Sequence, residues 1–448
     1  MTSVLCLDVG STYTKALHLD GETGEVLRHL SRPTTLATDI ADGVEDLLDA
    51  TGTNLAEAHA CSSAGGGLRL AVVGNEPLVT ARAAYQAGLS AGAKIVHIAA
   101  GGRPDPGALA AARPDLVLLA GGTDGGDEGM VLDHARALAD IRLDVPVIYA
   151  GNENAAPEAE RLLAGQRFSA CANVLPRIGE LNAGPARERL RQAFLDHVIG
   201  GKHLSAREDV IDLIGMPTPD AVLAGVEHLA RHCGRDVLVV DVGGATTDVY
   251  SARTPDPESE HLYAEVGGTA WNSRTVEGDL GLRHNAHGIA EAAVEERLMD
   301  DAELARLRPA LDHRTARPDW LADTGAERDL DLRLCTLAAR IAVRRHARGE
   351  RIGGPGQPVR GAKNLSSTGL LLASGGFFRA HPETTAASLA EAVLDDFAGG
   401  IRPPRDATVA VDAEYRLFAM GLLGKGAPRN VSNYLADRLA SGLLPEGV

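Results

Sequence analysis

Short apolar runs that end in glycine-bearing turns set the pattern near both ends of this chain. Residues 4–9 form one such run, Gly10-Ser11-Thr12 breaks it, and residues 14–19 alternate back toward Asp20-Gly21, which predicts a β-hairpin. A second break at Gly65-Gly66-Gly67 precedes a strand over 68–73, and the Ala-rich spacing of 80–92 predicts a helix. From 94 to about 176 the pattern changes. Runs at 95–99, 116–120, 145–150 and 171–175 are short and continuously apolar, as in strands buried on both faces. Helical spacing lies between them, clearest at 129–139 and 157–164, and such alternation implies crossover units on a parallel sheet. A helix over 180–199 leads out of this region.

The segment VLVVDVGGATTD, from Val237 to Asp248, repeats the logic of the N-terminus: a strand ending in Asp-Val-Gly, a turn of small residues, then a returning strand. Two such units fit two related lobes that face each other. Residues 330–348 predict a strong helix, 349–363 a loop, 370–374 a buried strand ending in Gly375-Gly376, and 413–423 a closing helix. The expected organisation is α/β. Residues 1–93 begin the first lobe, 94–200 are an inserted α/β domain, and 201–234 return to the first lobe with a connecting helix. Residues 235–412 form the second lobe, and 413–448 hold the closing helix and tail.

Composition narrows the functions open to this architecture. The 448 residues carry 44 Lys+Arg against 61 Asp+Glu, a net charge of −17, so bulk binding to nucleic acid is not expected. Hydrophobic residues make up 44% but aromatic ones only 3%, so the cores must be built from Ala, Val and Leu. The five cysteines are scattered without a CxxC, which argues against a zinc ribbon or an iron–sulfur cluster and for reduced, buried thiols. No signal peptide and no apolar run of about 18 residues is present, so a cytoplasmic protein without a membrane span is expected.

Three constellations could carry chemistry. In the first, Asp8 ends a strand and Gly10, Ser11, Thr12, Thr14 and Lys15 follow; a glycine turn lets backbone N–H groups approach phosphate, and a strand-end carboxylate suits hydrated Mg²⁺. The same residues also fit an ordinary hairpin with polar turn residues. In the second, Asp241 and Asp248 bracket Gly243, Gly244, Thr246 and Thr247, so both acids can face one cation or one attacking water. In the third, Ser374-Gly375-Gly376 ends a strand where a flat ring could lie against the backbone, with Phe377 or Phe378 as a cover.

These constellations, in this order, resemble the phosphate-1, phosphate-2 and adenosine motifs of the actin–Hsp70–sugar kinase superfamily. The resemblance implies two actin-like (ribonuclease H-like) ATPase lobes around a nucleotide cleft. Crossed connecting helices at 217–229 and 413–423 are implied too, with Ala224, Gly225, Ala419 and Gly421 at the close approach. A narrower resemblance rests on DVGSTYTK (8–15), CSSAGGGL (61–68), AGLSAGAKIV (87–96), MPTPDAV (216–222), DVGGATTDVYS (241–251) and RTVEGDLGLR (274–283). Together these blocks are similar to the accessory protein found with glutamate mutase and related adenosylcobalamin-dependent aminomutases, itself related to diol dehydratase reactivases.

That resemblance implies a weak ATPase of chaperone type, binding ATP or ADP with Mg²⁺ and partnered by the subunits of a cobalamin-dependent mutase, from which it releases damaged cobalamin. Asp8 and Asp241 would anchor Mg²⁺ through water, and Asp248 would orient the hydrolytic water. Gly267, Gly268, Thr275 and Glu277 would approach the nucleotide from the second lobe, beside the residues of the three motifs. No DxHxxG motif is present, so cobalamin is expected on the partner, and His97 reads as a core histidine. A small-molecule kinase and a non-catalytic nucleotide-dependent scaffold are the alternatives on the same fold. Iron–sulfur activators of dehydratases share that fold but need paired cysteines. The loops 121–129 and 151–154, at the ends of adjacent predicted strands, form either a ligand or partner surface or plain glycine-rich connections.

Overall fold

The apolar alternation of residues 3–33 is realised as an antiparallel meander, and everything that positions the site grows from it. The structure, a computed structural model, describes residues 3–10, 13–36, 38–64, 68–77, 79–196, 205–254, 271–351, 359–360, 362–424 and 429–440. Its first sheet has the order Ile214–Pro217, Ala58–Ser62, Ser3–Val9, Tyr13–Asp20, Val26–Pro33. Ser3–Val9 pairs antiparallel with Tyr13–Asp20 and parallel with Ala58–Ser62. The second sheet runs Thr408–Val411, Thr368–Ser374, Asp236–Val242, Thr247–Ala252, Asn272–Glu277. Strand for strand, its order and sense repeat the first: two antiparallel neighbours on one side of the leading strand, two parallel ones on the other. Asp8 lies opposite Lys15 and beside Cys61, while Asp241 lies opposite Asp248 and beside Ser374.

Side chains alternate between sheet faces, so each leading strand serves two cores. Leu5, Leu7 and Val9 pack into one core, and Leu238, Val240 and Val242 into another. The opposite faces meet: Cys6, Leu17 and Leu19 of the first sheet share a third core with Val237, Val239, Tyr250, Leu370 and Leu372 of the second. Asp8 and Asp241, two residues beyond Cys6 and Val239, therefore stand on the faces that the two sheets turn toward each other.

Two helices cross within this shared core, which Arg429–Ala440 also lines. Thr218–Cys233 follows the last strand of the first sheet, and Arg416–Leu423 follows the last strand of the second. They cross at glycines. A Cβ at Gly225 would lie 1.9 Å from the Leu417 carbonyl oxygen, and one at Gly421 would lie 1.8 Å from that of Ala221. Each helix thus offers one glycine and, four residues earlier, the carbonyl that the other glycine meets. Ala419 is buried in the same core, but Ala224 is half-buried, and Ala221 takes the place expected for it. The closing helix starts at Arg416 rather than 413 because the buried Asp412 carboxylate accepts from the N–H groups of Arg416 and Leu417.

The third sheet is wholly parallel, in the order Lys94–Ala100, Arg69–Gly74, Leu116–Ala120, Val147–Tyr149, Phe168–Ala170. It includes Arg69–Gly74, a strand that the sequence pattern assigns to 1–93, so the sheet begins ahead of residue 94. The run 171–175 does not form its last strand; Phe168–Ala170 does. Asn173 is the reason, since its side chain takes the Leu175 N–H and bonds the Gly122 carbonyl and Asp124, offering that backbone an alternative to the ladder. The exit helix is Ala183–Phe194, the part of 180–199 that is helical among the described residues. It is fastened to Thr218–Cys233 through Asp220, fully buried, whose carboxylate receives Arg187 at 2.5 Å and Arg191 at 2.6 Å.

Candidate functional site

Asp8 is buried at the end of its strand and accepts donors on both carboxylate oxygens. The Thr218 hydroxyl, at the start of the first crossing helix, donates to Oδ1 at 2.6 Å, with the Cys61 thiol 3.8 Å away. Oδ2 accepts the Tyr415 hydroxyl at 3.0 Å and the Lys15 ammonium at 3.4 Å. Lys15 also donates to the Tyr415 hydroxyl at 3.0 Å, and its Nζ lies 4.2 Å from the ring centroid. The Arg379 guanidinium, from the short helix after Gly375, lies 4.6 Å from the same centroid.

Asp241 is the opposite case. No donor reaches its carboxylate among the described residues, and its pKa is pushed up to about 6, by burial first and then by the Asp248 and Asp8 charges, with Lys15 and Arg379 pulling the other way. A carboxylate without hydrogen bonds, near two further acids, fits a hydrated divalent cation, which needs only one or two protein oxygens. Among the described residues there is no group of three or more His, Cys, Asp or Glu that could hold a metal ion.

Asp248 faces the same way as Asp241 but is already engaged. The buried Arg274 donates to its Oδ1 at 2.7 Å through Nε, and Thr246 donates to Oδ2 at 3.2 Å. Arg274 also donates to the Gly92 carbonyl at 2.9 Å, which ties this corner to the segment leading into the parallel sheet.

The pleat separates the other candidates. Lys15 and Thr246 join the acids. Thr14 turns to the opposite face, where its hydroxyl bonds Thr34 at 3.1 Å. Thr247 is buried and donates to the Leu280 carbonyl at 2.5 Å. Thr275 bonds His346 Nδ1 at 2.9 Å, and burial pushes that imidazole down to about 3. Glu277 pairs with Arg345 at 2.8 Å on that face too. The family resemblance implies Thr14 and Thr247 at the phosphates and Thr275 and Glu277 approaching the nucleotide from the second lobe. In the structure the strands' alternation turns all four to the face away from the acids. Ser11, Thr12, Gly267 and Gly268 lie outside the described residues.

The glycines do less cradling than their pattern suggests. The Gly10 N–H is used by the Asp8 and Tyr13 carbonyls and the Gly243 N–H by Thr246, so both close their own turns. Gly375, at φ +112°, is demanded by the Val242 carbonyl, 2.2 Å from where a Cβ would stand. Gly244 and Gly376 are exposed and remain open to a ligand, while Ser374 is buried beside Asp241. Phe378 is a core residue and Phe377 packs against that core. In the parallel sheet, Gly121 packs on Asn75 and Gly151 on the Gly121 backbone, so these glycines serve loop packing. The loops border an open polar cavity of about 400 Å³ lined by Asp124, Glu153, Asn154, Arg177 and Glu180.

Thr218, Tyr415, Arg379 and Arg274 escape sequence reasoning as site residues. Two of them left a signal, Thr218 inside MPTPDAV and Arg274 as the first residue of RTVEGDLGLR. That block supports the second turn: besides Arg274 on Asp248, a Cβ at Gly281 would stand 2.3 Å from the Ala245 carbonyl carbon, and the Arg283 N–H caps the Gly244 carbonyl at 2.8 Å. Because Glu277 faces Arg345 and not the acids, and Arg345 keeps Asp279 as a second partner, Glu277→Ala should lower stability by about 1–3 kcal/mol. It should leave nucleotide affinity within about twofold. Thermal denaturation and an ATP titration check this, and a tenfold affinity loss would restore Glu277 to the site.

Fold and site together define a mixed α/β protein with a repeated five-stranded sheet, whose two copies carry Asp8, Asp241 and Asp248 on the sides that share a core. The MutL protein family model matches residues 4–439. Protein MutL of Clostridium tetanomorphum is 31% identical over 451 residues, which is 96% of this chain and 97% of that protein. The chain belongs to the MutL protein family. Among solved structures it is similar to nucleotide-free acetone carboxylase, at 15% identity and TM-score 0.38, over 94% of this chain and 69% of that one. It is similar also to the activator of the 2-hydroxyisocaproyl-CoA dehydratase from Clostridium difficile with bound ADPNP, at 9% identity and TM-score 0.32, over 100% of both chains.

Proposed function

We propose that this MutL family member is a nucleotide-dependent accessory factor of an adenosylcobalamin-dependent mutase of the glutamate mutase type. It would hydrolyse ATP slowly and use the ATP and ADP states to loosen damaged cobalamin from its partner. One observation carries the nucleotide reading: Asp241, a carboxylate with no donor among the described residues, stands with Asp8 and Asp248 between two sheets of the same topology. The two sheets with their crossed helices make two ATPase lobes on this reading, and the parallel sheet is an inserted domain whose carboxyl edge, at 121–129 and 151–154, is a partner surface. Family membership and the sequence blocks support the mutase as that partner.

A Mg²⁺ ion held through water by Asp241 and Asp8 would neutralise polyphosphate charge and make the terminal phosphoryl a better electrophile. Lys15 and Thr246 donate toward phosphate oxygens from the two turns. Asp248, held by Arg274, keeps a fixed carboxylate near the attacking water. Gly376, with no side chain, gives the adenosine a flat approach, and Arg379 is in reach of the same region. The two lobes can take different angles only if ATP and ADP differ in affinity for them, and loss of one phosphate beside these fixed charges supplies that difference.

The test is reactivation. A cognate mutase, inactivated by turnover, is incubated with this protein, ATP, Mg²⁺ and fresh adenosylcobalamin. Recovery of mutase activity that needs ATP is expected. Recovery that is absent, or identical without ATP, would sink the reading.

A further inference from the structure

Tyr415 touches three residues of the candidate site, Asp8, Lys15 and Arg379, although no motif contains it. Its hydroxyl donates to Asp8 Oδ2, 3.0 Å away and 407 residues distant in the chain, and accepts from Lys15 at 3.0 Å. Its ring meets Lys15 and Arg379, so with Asp8 it contacts the leading strand, the returning strand and the helix after Gly375 at once. It is also the residue immediately before the crossing helix Arg416–Leu423, in a left-handed conformation at φ 61° and ψ 45°. A bulky aromatic residue rarely adopts that region, and such strain persists only where the surroundings impose it.

The surroundings here are identifiable. Asp412 fixes the first N–H groups of the helix on one side of Tyr415, and Asp8 with the two cations fixes its ring and hydroxyl on the other. Behind it, the helix cannot slide, because Gly421 lies against the Ala221 carbonyl. Asp8 Oδ1 is retained by Thr218, at the start of the partner helix. The two oxygens of one carboxylate are therefore held by the starts of the two crossing helices.

We infer that Tyr415 is a positioning residue that, with Lys15, latches Asp8 and links the taking of Asp8 by a hydrated divalent cation to relaxation of the first turn of the helix Arg416–Leu423. The inference rests on the nucleotide reading above. A cation that draws on the Oδ2 edge of Asp8 competes with the Tyr415 hydroxyl and the Lys15 ammonium. Lys15 released from Asp8 is free for phosphate. Tyr415 released from Asp8 loses one of the contacts that hold it left-handed, so the first turn of the crossing helix can relax. Thr218 keeps Oδ1 throughout, so the first crossing helix stays in place while the second responds.

The experiment uses the full chain and ADP as the probe, with Mg²⁺ varied, on wild type and Tyr415→Phe. Phenylalanine keeps the ring against Lys15 and Arg379 and removes only the hydroxyl. Wild type is expected to bind ADP more tightly as Mg²⁺ is raised, and amide exchange over 412–423 is expected to change when Mg²⁺ and ADP are present together. Tyr415→Phe should reach its Mg²⁺ midpoint at about tenfold lower concentration, since one hydrogen bond to a charged group no longer competes, with ADP affinity in chelator unchanged. Its 412–423 amides should exchange in the absence of Mg²⁺ as the wild-type ones do in its presence. An unchanged Mg²⁺ midpoint, or a raised one, overturns the latch, as does an exchange pattern over 412–423 that Mg²⁺ and ADP leave unaltered in wild type. Failure of wild type to bind ADP at any Mg²⁺ concentration is a different result, which removes the nucleotide reading itself. Thermal denaturation of Tyr415→Phe confirms that folded proteins are being compared.

Discussion

Gly421→Val is expected to lower the apparent Tm by about 10 °C or more, a loss above about 4 kcal/mol. A Cβ there would stand 1.8 Å from the Ala221 carbonyl oxygen, and no real Cβ comes so near a backbone atom. Ordinary overpacking costs about 1–3 kcal/mol because neighbouring side chains can yield. Here the obstacle is the backbone of a helix whose other contacts are fixed: Asp220 by two arginines, Thr218 by Asp8, and Gly225 by the Leu417 carbonyl on the return crossing. Moving the helices apart would empty the shared core of Val239, Leu372 and Phe418. Gly325→Ala is the control. It stands at the start of another helix with no atom within 4 Å of its Cβ position, and replacing it should change the apparent Tm by no more than about 2 °C. A scan of the three proteins checks the contrast, and a Gly421→Val protein as stable as wild type would mean that the crossing is not as tight as drawn.

That crossing was partly legible in the sequence, and the reason says what sequence reading can reach here. Gly225 and Gly421 were expected at a crossing because the motifs resemble those of the actin–Hsp70–sugar kinase superfamily; the local pattern shows only two glycines in apolar stretches and no partner for either. Asp8 and Asp241 were legible because each ends an apolar strand just before a small-residue turn. Which face a returning residue takes depends on hairpin register. Thr14, Thr247 and Thr275 therefore look like phosphate ligands in one dimension and turn away in three. The contacts of Tyr415 and Thr218 with Asp8 were illegible for another reason: they span 407 and 210 positions, through packing that no local pattern encodes. The parallel sheet shows the same limit. Its alternation of strands and helices was plain, but nothing local says that Arg69–Gly74 pairs between Lys94–Ala100 and Leu116–Ala120.

Asp241→Asn should move stability and binding in opposite directions. Without a cation, the Asp241 carboxylate has no donor among the described residues, and burial first, then repulsion from Asp248 and Asp8, raises its pKa to about 6. A carboxyl whose folded pKa lies above its unfolded value, near 3.9, favours the fold when protonated. Its contribution is therefore present below about pH 4 and is lost as pH rises through about 6. At pH 8 without metal, the neutral amide relieves that repulsion, and the variant should melt at or above the wild-type temperature. Binding runs the other way, because a cation needs the ionised form. Wild-type affinity for ADP with Mg²⁺ should be constant above pH 7 and about tenfold weaker at pH 5, where roughly one site in eleven is ionised. In Asp241→Asn that pH dependence should vanish and the Mg²⁺-dependent affinity should fall about a hundredfold, as for loss of one charge-assisted contact in an enclosed site. Thermal shifts from pH 5 to 8, with and without Mg²⁺ and ADP, read both effects in one series. A variant that is less stable at every pH would make Asp241 a structural acid. One that binds as wild type does would place the cation elsewhere.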